Sequence, residues 1–303
     1  MDNSPLISII VVSYNQEKYI RENLDSIKRQ TYANIELIIA DDASKDNSVE
    51  VFEKWLIENN YIAKKNYHQN NTGFATTLNE CIELTTGKYI KIIAADDFLH
   101  ENAIEKCVSR LEELGEDYGM IYTDVYTIDE DSKIREDMMD CNSSYHPDPD
   151  EFYNMLVLGN RIMALSVVVL KSVLVETGIY DEKFLVEDYY KWLKIGKLYK
   201  VAYIPEKLAF YRWHGSNISI IKAERIKKED IILKMMFDKT GIAKNIIRDY
   251  LIVELIKKNK VDIEALNAYK KYPYRNKLLI ACTRYNFPSF GYRVLNRLIK
   301  LGD

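Results

Sequence analysis

The chain has 303 residues, 47% of them hydrophobic and 29% charged, with a net charge of −4. That is ordinary globular composition, long enough for one large domain with an appendage, and it excludes a nucleic-acid binder that works through a global basic field. Cys81, Cys107, Cys141 and Cys282 stand far apart with no C-x-x-C pairing, so neither a zinc site nor a disulfide framework is expected and a reducing compartment fits. The first residues lack a basic segment followed by an apolar one, so no signal peptide is expected. No apolar run approaches the roughly 20 residues that span a bilayer. Tyrosine is abundant, with 23 copies, and is read as compositional drift.

Leu6 to Val12 is β-branched and apolar and predicts a strand. Tyr19, Ile20, Leu24 and Ile27 then recur at helical spacing. Ile35 to Ala40 is the next strand, and Asp46-Asn47-Ser48 caps a helix carrying Val51, Phe52, Trp55 and Leu56. Asn70 to Gly73 is a turn before a helix with Leu78 and Ile82, and Gly87 ends it. A strand from Lys88 to Ala95 follows, then a helical stripe from Ala103 to Leu111, then a strand opening at Gly119. This alternation predicts a mostly parallel, doubly wound sheet. Between Tyr126 and Pro149 the periodicity weakens into an acidic loop with room for an edge hairpin. A helix at Glu151 to Leu158, a strand at Ala164 to Leu170, a turn at Gly178 to Asp181 and a helix opening at Glu187-Asp188 come next. Two short strands flank Pro205, and helices fill the chain after Ser219, with breaks near Thr240-Gly241, Lys260 and Pro273. The expected division is a catalytic domain over 1–219, with a nucleotide-binding half to about 124 and an acceptor half from about 125, and a helical region over 220–303.

Two strands end in acid. Ile35 to Ala40 runs into Asp41-Asp42, and Lys88 to Ala95 runs into Asp96-Asp97. In an open α/β sheet the carboxyl ends of the strands form the ligand edge. Two carboxylate pairs there repel unless a cation or hydrogen-bond donors intervene, which points to a metal-assisted site for a phosphorylated or nucleotide ligand. No G-x-G-x-x-G follows the first strand, so the dinucleotide fingerprint is absent.

Taken in order, the motifs resemble those of the family 2 glycosyltransferases with the GT-A fold. They are Ile10-Val11-Val12-Ser13-Tyr14-Asn15, then Ala40-Asp41-Asp42-Ala43-Ser44, then Asn71-x-Gly73 with Asn79 and Gly87-Lys88-Tyr89-Ile90. Glu187-Asp188-x-x-x-Trp192 and Tyr211-Arg212-Trp213-His214-x-x-Asn217-x-Ser219 complete the set. The resemblance spans roughly residues 6 to 219. Many members carry a further aspartate where this chain has Ala94, so altered donor contacts are expected.

The resemblance implies an inverting transferase that moves a sugar from a nucleotide donor, expected to be UDP-linked, to a hydroxyl of a saccharide or lipid-linked acceptor in surface polysaccharide synthesis. It places Ser13, Tyr14, Asn15, Asp42, Asn71, Asp96 and Arg212 on the nucleotide, with Asp42 at the base and Asp96 near the ribose or donor sugar. It places Asp97 and His214 on Mn²⁺ or Mg²⁺, Asp188 as the base, and Glu187 beside the acceptor.

Bland readings compete. Asp41-Asp42 also reads as a helix-capping or turn pair, and Glu187-Asp188 as acids stabilised by a helix's first turn. The alternatives are a metal-dependent sugar nucleotidyltransferase, which should carry a Gly- and Lys-rich phosphate loop, and a non-catalytic sugar-binding relative. A cytoplasmic location is expected, with or without peripheral contact at the inner membrane face. The basic, apolar stretch containing Phe287, Phe290, Arg293, Leu298 and Lys300 is either packed helix or a membrane-surface segment.

Overall fold

The computed structural model describes residues 4–137, 145–258 and 260–284. The chain divides into two compact units, residues 1–152 with 160–217 and residues 153–159 with 218–303.

The first unit is built on an eight-stranded sheet. β1 (Ile7–Ser13) lies between β2 (Ile35–Asp41) and β4 (Tyr89–Ala94), parallel to both, and β3 (Ala63–Tyr67) adds in parallel outside β2. All seven β1 residues are buried, which is why this strand reads as an unbroken apolar run rather than an alternating one. The helices between these strands are α1 (Ile20–Lys28), α2 (Ser48–Asn59) and α3 (Phe74–Leu84). The second half of the sheet brings in β5 (Phe98–Leu99), β6 (Tyr118–Ile128), β7 (Val168–Leu170) and β8 (Lys200–Arg212), in the order β3-β2-β1-β4-β7-β6-β8-β5. β7 runs antiparallel to both β4 and β6, and β6 is parallel to β8. β4, β6 and β8 therefore point the same way, and their carboxyl ends share one edge. α4 (Ala103–Leu114), α6 (Lys171–Glu176) and α7 (Glu187–Leu198) belong to this unit, whereas α5 (Pro149–Leu158) begins in it and ends in residues of the second. α7 leads directly into β8, so its amino terminus returns to that same carboxyl edge.

Several elements differ from the sequence expectation. β3 was not anticipated, because an edge strand reading Ala-Lys-Lys-Asn-Tyr lacks an apolar run. β6 extends to Ile128, into the beginning of the stretch expected to be loop, because the longer β8 pairs with it as far as Arg212. The strand expected at Ala164 begins with a 3-10 turn over Ala164–Ser166. Pro205 does not split its region in two: pairing passes from Ile204 to Lys207, so Pro205 and Glu206 form an irregularity inside one strand. Gly87 sits where a Cβ would meet Ser8 N at 2.7 Å and Leu6 O at 2.8 Å. Only glycine allows β4 to enter the sheet against β1 there.

The second unit is helical, with α8 (Ile218–Ile221), α9 (Ala223–Phe237), α10 (Lys244–Lys258), α11 (Ile263–Lys271) and α12 (Lys277–Arg284). Leu233, Ile247, Leu251, Leu255, Ala265 and Leu279 are buried within it. Asp238 ties the break after α9, accepting the N–H groups of Thr240, Gly241 and Ala243 and the hydroxyl of Tyr272. Asp262 caps α11 by accepting from Glu264 N and Ala265 N. Phe287, Phe290, Arg293, Leu298, Lys300 and Cys141 lie outside the described residues. Among the described residues no helix is long and apolar enough to cross a membrane.

Candidate active site at the carboxyl edge of the sheet

The ends of β1 and β2 are laced together. Asn15 takes a left-handed conformation, donates its N–H to Ser44 Oγ and accepts Lys45 N at its side chain. Asp41 closes its own turn, accepting Ser44 N at 2.8 Å and Ser44 Oγ at 2.6 Å. Asp42 does something different. Its Oδ1 accepts Thr72 N at 2.7 Å, His68 Nδ1 at 3.0 Å and Thr72 Oγ1 at 3.2 Å, while Oδ2 accepts Gly73 N at 2.8 Å. Burial opposes the charge, but these donors outweigh it and hold the Asp42 carboxyl below its usual range. The Asn71-x-Gly73 motif thus builds the cradle. Gly73, at φ +93°, turns its N–H toward Asp42, and Asn71 Nδ2 donates to the Asp42 carbonyl. Of the residues expected at the nucleotide, Tyr14 is exposed and Ser13 is buried with no hydrogen-bond partner for its hydroxyl.

The ends of β4 and β8 meet through the second pair. Asp96 Oδ2 lies 3.0 Å from His214 Nε2, and Ser216 Oγ holds the other ring nitrogen at 2.7 Å. Tyr19 stacks on His214 with centroids 5.6 Å apart. Asp97 turns inward, where its Oδ1 accepts Arg212 N at 2.8 Å. Burial first, and the neighbouring Asp96 charge second, push the Asp97 carboxyl well above its usual range.

Two of the expected site residues are placed as follows. Asp96 faces His214, while Asp97 Oδ1 is turned to the backbone of β8. Arg212 was expected at the diphosphate. It is instead 1% exposed and bonded to Glu22, the Asp96 and Asp129 carbonyls and Ser132 Oγ. Its guanidinium lies over Tyr19 at 4.5 Å. In this arrangement Arg212 fastens the loop after β6 to the Asp96 turn. Asn23, on α1, donates to the Ala94 and Asp97 carbonyls and anchors the same turn.

Glu187 and Asp188 open α7, both half-buried. Asp188 accepts Tyr189 N at 2.6 Å and Asn160 Nδ2 at 3.2 Å. Burial raises its pKa above the ordinary carboxylate value. Trp192 of the same motif is buried and secures the helix. Lys191, one turn on, donates to the Gly178 carbonyl and lies over the Tyr180 ring, and burial pushes it down to about 8. Asn79 grips Tyr180 through its backbone N–H and carbonyl, which joins α3 to the turn before α7.

Among the described residues no cluster of three or more His, Cys, Asp and Glu side chains is arranged to hold a metal ion. Asp96 and His214 nevertheless fit as a partial set. Two adjacent ligands of an octahedral ion at about 2.1 Å stand about 3 Å apart, which is the Asp96–His214 separation. Remaining positions would fall to substrate phosphates and water, the usual arrangement for Mg²⁺. A cleft of 450 Å³ lined by Lys88, Tyr89, Glu112, Leu170 and Val173 lies at the opposite ends of the strands and holds none of the candidate residues.

Tyr19, Glu22, Asn23, His68 and Thr72 were not singled out from the sequence. Tyr19 reads as part of the apolar stripe of α1, and Glu22 and Asn23 as its solvent face. The available signal for His68 was its place just before Asn71-x-Gly73.

Comparison with known proteins bears on this arrangement. The Glycosyl transferase family 2 profile matches residues 8–166. An uncharacterized glycosyltransferase of Haemophilus influenzae is 31% identical over 288 residues, covering 86% of this chain and 84% of the relative. Glycosyltransferase GlyG of Streptococcus pneumoniae is 36% identical over 127 residues, 42% of this chain and 41% of that protein. Among solved structures, S. aureus TarS 1-349 in complex with UDP-GlcNAc superposes with a TM-score of 0.65 at 14% identity, covering 98% of this chain and 92% of that one. Mannosyltransferase PcManGT of Pyrobaculum calidifontis, in complex with GDP-Man and Mn²⁺, gives 0.59 at 17% identity, covering 99% and 85%. The structural likenesses carry the fold and the sequence matches carry the family: the chain belongs to glycosyl transferase family 2 and has its GT-A fold.

Proposed function

We propose that this glycosyltransferase is inverting and metal-dependent, and that it transfers a sugar from a uridine diphosphate donor to a hydroxyl of a saccharide or lipid-linked acceptor. The observation that carries the reading is the Asp96–His214 pair, 3.0 Å apart at the edge where β4 and β8 end. In this reading Asp96 and His214 hold Mn²⁺ or Mg²⁺, which when bound would stabilise negative charge on the departing nucleoside diphosphate. Asp42 receives the N–H of the base, and the orphaned Ser13 hydroxyl finds its partner on the nucleotide. Asp188 takes the proton of the attacking hydroxyl. A raised pKa suits a base, because it strengthens the affinity of the carboxylate for the proton it must take. Attack opposite the leaving group gives a β-glycoside from an α-linked donor. A role in surface polysaccharide synthesis, and peripheral contact with a membrane carrying a lipid-linked acceptor, extend the same reading.

The base leaves a second option. Guanine N1–H is a donor like uracil N3–H, and a neighbour in fold is bound to GDP-Man. Asp42 would accept either and oppose cytosine.

Asp188→Asn is the test, because it keeps the shape and removes the basicity. Turnover should fall about 10²–10⁴-fold while the Kd for the nucleoside diphosphate holds. A variant with wild-type turnover, or product whose NMR spectrum shows retained anomeric configuration, removes Asp188 as the base.

A further inference from the structure

We propose that His68 is a positioning residue for nucleobase recognition, holding Asp42 so that one carboxylate oxygen stays open to a base N–H. This rests on the role given to Asp42 above. His68 follows β3 directly, and its backbone N–H donates to the Asp41 carbonyl at 2.9 Å, which pins it alongside the end of β2. The ring is 10% exposed and spans two carboxylates, with Nδ1 3.0 Å from Asp42 Oδ1 and Nε2 2.6 Å from Glu80 Oε2. A carboxylate accepts and cannot donate, so two carboxylates flanking the ring favour its doubly protonated form, in which both nitrogens donate; Thr72 Oγ1 lies 2.9 Å from Nδ1 and Asn66 Nδ2 3.2 Å from Nε2 beside them.

The consequence falls on the two Asp42 oxygens unequally. Oδ1 meets Thr72 N, Thr72 Oγ1 and His68 Nδ1, whereas Oδ2 receives Gly73 N. Each carboxylate oxygen offers about two lone-pair sites. Oδ1 is filled and Oδ2 has one left. Uracil N3–H or guanine N1–H can occupy it; cytosine presents a lone pair there and is repelled.

The groups against the ring are Asp42 from the end of β2, Asn66 from β3, Thr72 from the Asn71-x-Gly73 turn, and Thr77 and Glu80 from α3; Asp42 and Glu80 are the charged ones. Burial works against the charge, but Glu80 and Asp42 outweigh it and raise the His68 pKa above its ordinary value. When the ring loses its second proton as pH rises it can serve only one carboxylate. The contact with Glu80 is the shorter, so Asp42 is released.

The test is calorimetry of UDP, GDP and CDP from pH 6 to 9 on wild type, His68→Gln and Glu80→Gln. Glu80 is half exposed on its helix, so Glu80→Gln yields a folded protein even if His68→Gln does not. His68→Gln should weaken the preferred nucleotide about three- to tenfold, leave CDP unchanged, and raise the donor KM without lowering kcat. The ratio of wild-type to variant affinity should fall toward one as pH rises; titration of the base itself is common to all proteins and cancels. Glu80→Gln should move the wild-type decline to lower pH. If wild type binds CDP as tightly as UDP and GDP, the role of Asp42 fails and this inference with it. If wild type discriminates but both variants keep its selectivity and pH profile, Asp42 stands and the positioning role of His68 is refuted.

Discussion

The chain ends the two strands that flank β1 with the same dipeptide and puts the two to opposite electrostatic use. At the end of β2, Asp42 is wrapped by backbone N–H groups from the Asn71-x-Gly73 turn and by His68, so its charge is favoured despite burial. At the end of β4, Asp97 is also buried, has Asp96 beside it, and accepts the Arg212 backbone N–H, so its charge is disfavoured. Burial is common to both; the difference lies in the number of donors the local backbone can aim at the carboxylate. A turn with a left-handed glycine supplies several, and a strand edge supplies one. Asp41 and Asp96, the other members, also diverge: Asp41 closes a turn, and Asp96 faces His214.

The largest effect should come from the β4 pair. Asp96→Asn should lower transfer by about a thousandfold if the metal contributes several kcal/mol to the transition state. It should also abolish the difference in nucleotide affinity between Mn²⁺ and EDTA. An Asp96→Asn protein whose affinity still responds to Mn²⁺, beside an Asp97→Asn protein whose affinity does not, would reverse the assignment within the pair.

The next test compares the strand ends by stability. Asp97→Asn keeps an oxygen for the Arg212 N–H and removes a disfavoured charge, so denaturant unfolding should find it close to wild type. Asp97→Ala leaves that N–H unpaired and should cost about 1–3 kcal/mol. Asp42→Asn should behave in the opposite way to Asp97→Asn, costing about 1–3 kcal/mol, because its amide would face a buried N–H that needs an acceptor. Equal responses of the two Asn variants would mean that donor count does not set the contrast.

The smallest expected effect is on acid stability. The Asp42 pKa is lowered in the folded state, so the unfolded chain binds the proton more readily. Stability from Asp42 is present in full above the unfolded value of about 3.9 and is lost as pH falls through the folded one. Asp42→Asn should therefore flatten part of the acid limb of a stability curve recorded from pH 6 down to 2. An unchanged limb would show that other carboxylates govern it.

What the sequence made legible follows the physics of each element. β1, β2 and β4 announce themselves because burial on both faces demands continuous apolar runs, and their acidic ends mark the ligand edge. β3, with two lysines, and β5, with two residues, carry no such demand. Gly87 and Gly73 stand out as punctuation in the motifs, but the contact each one serves becomes visible only in three dimensions. Arg212 is the instructive case. An arginine beside a strand-end histidine suggests a phosphate ligand, yet its partners come from α1 and the loop after β6, over 80 positions away in the chain. His68 was hidden for the same reason, since Glu80 and Asp42 flank it only after β2, β3 and α3 have assembled.

The two outer strands of the sheet have one more consequence, for how this protein behaves in a crowded solution. A β-rich core ending in an open strand invites a second chain to pair with it. Here one outer strand, β5, spans two residues, and the other, β3, exposes Lys64 and Lys65, tied to Glu36 and Glu53 at 2.5 and 2.7 Å. Adding a strand to β3 would crowd these ammonium groups against another backbone and strip their water. The lysines that made β3 hard to find thus act as guards against self-association. Exchanging them for valine or threonine would give a strand easier to recognise and a protein more prone to aggregate.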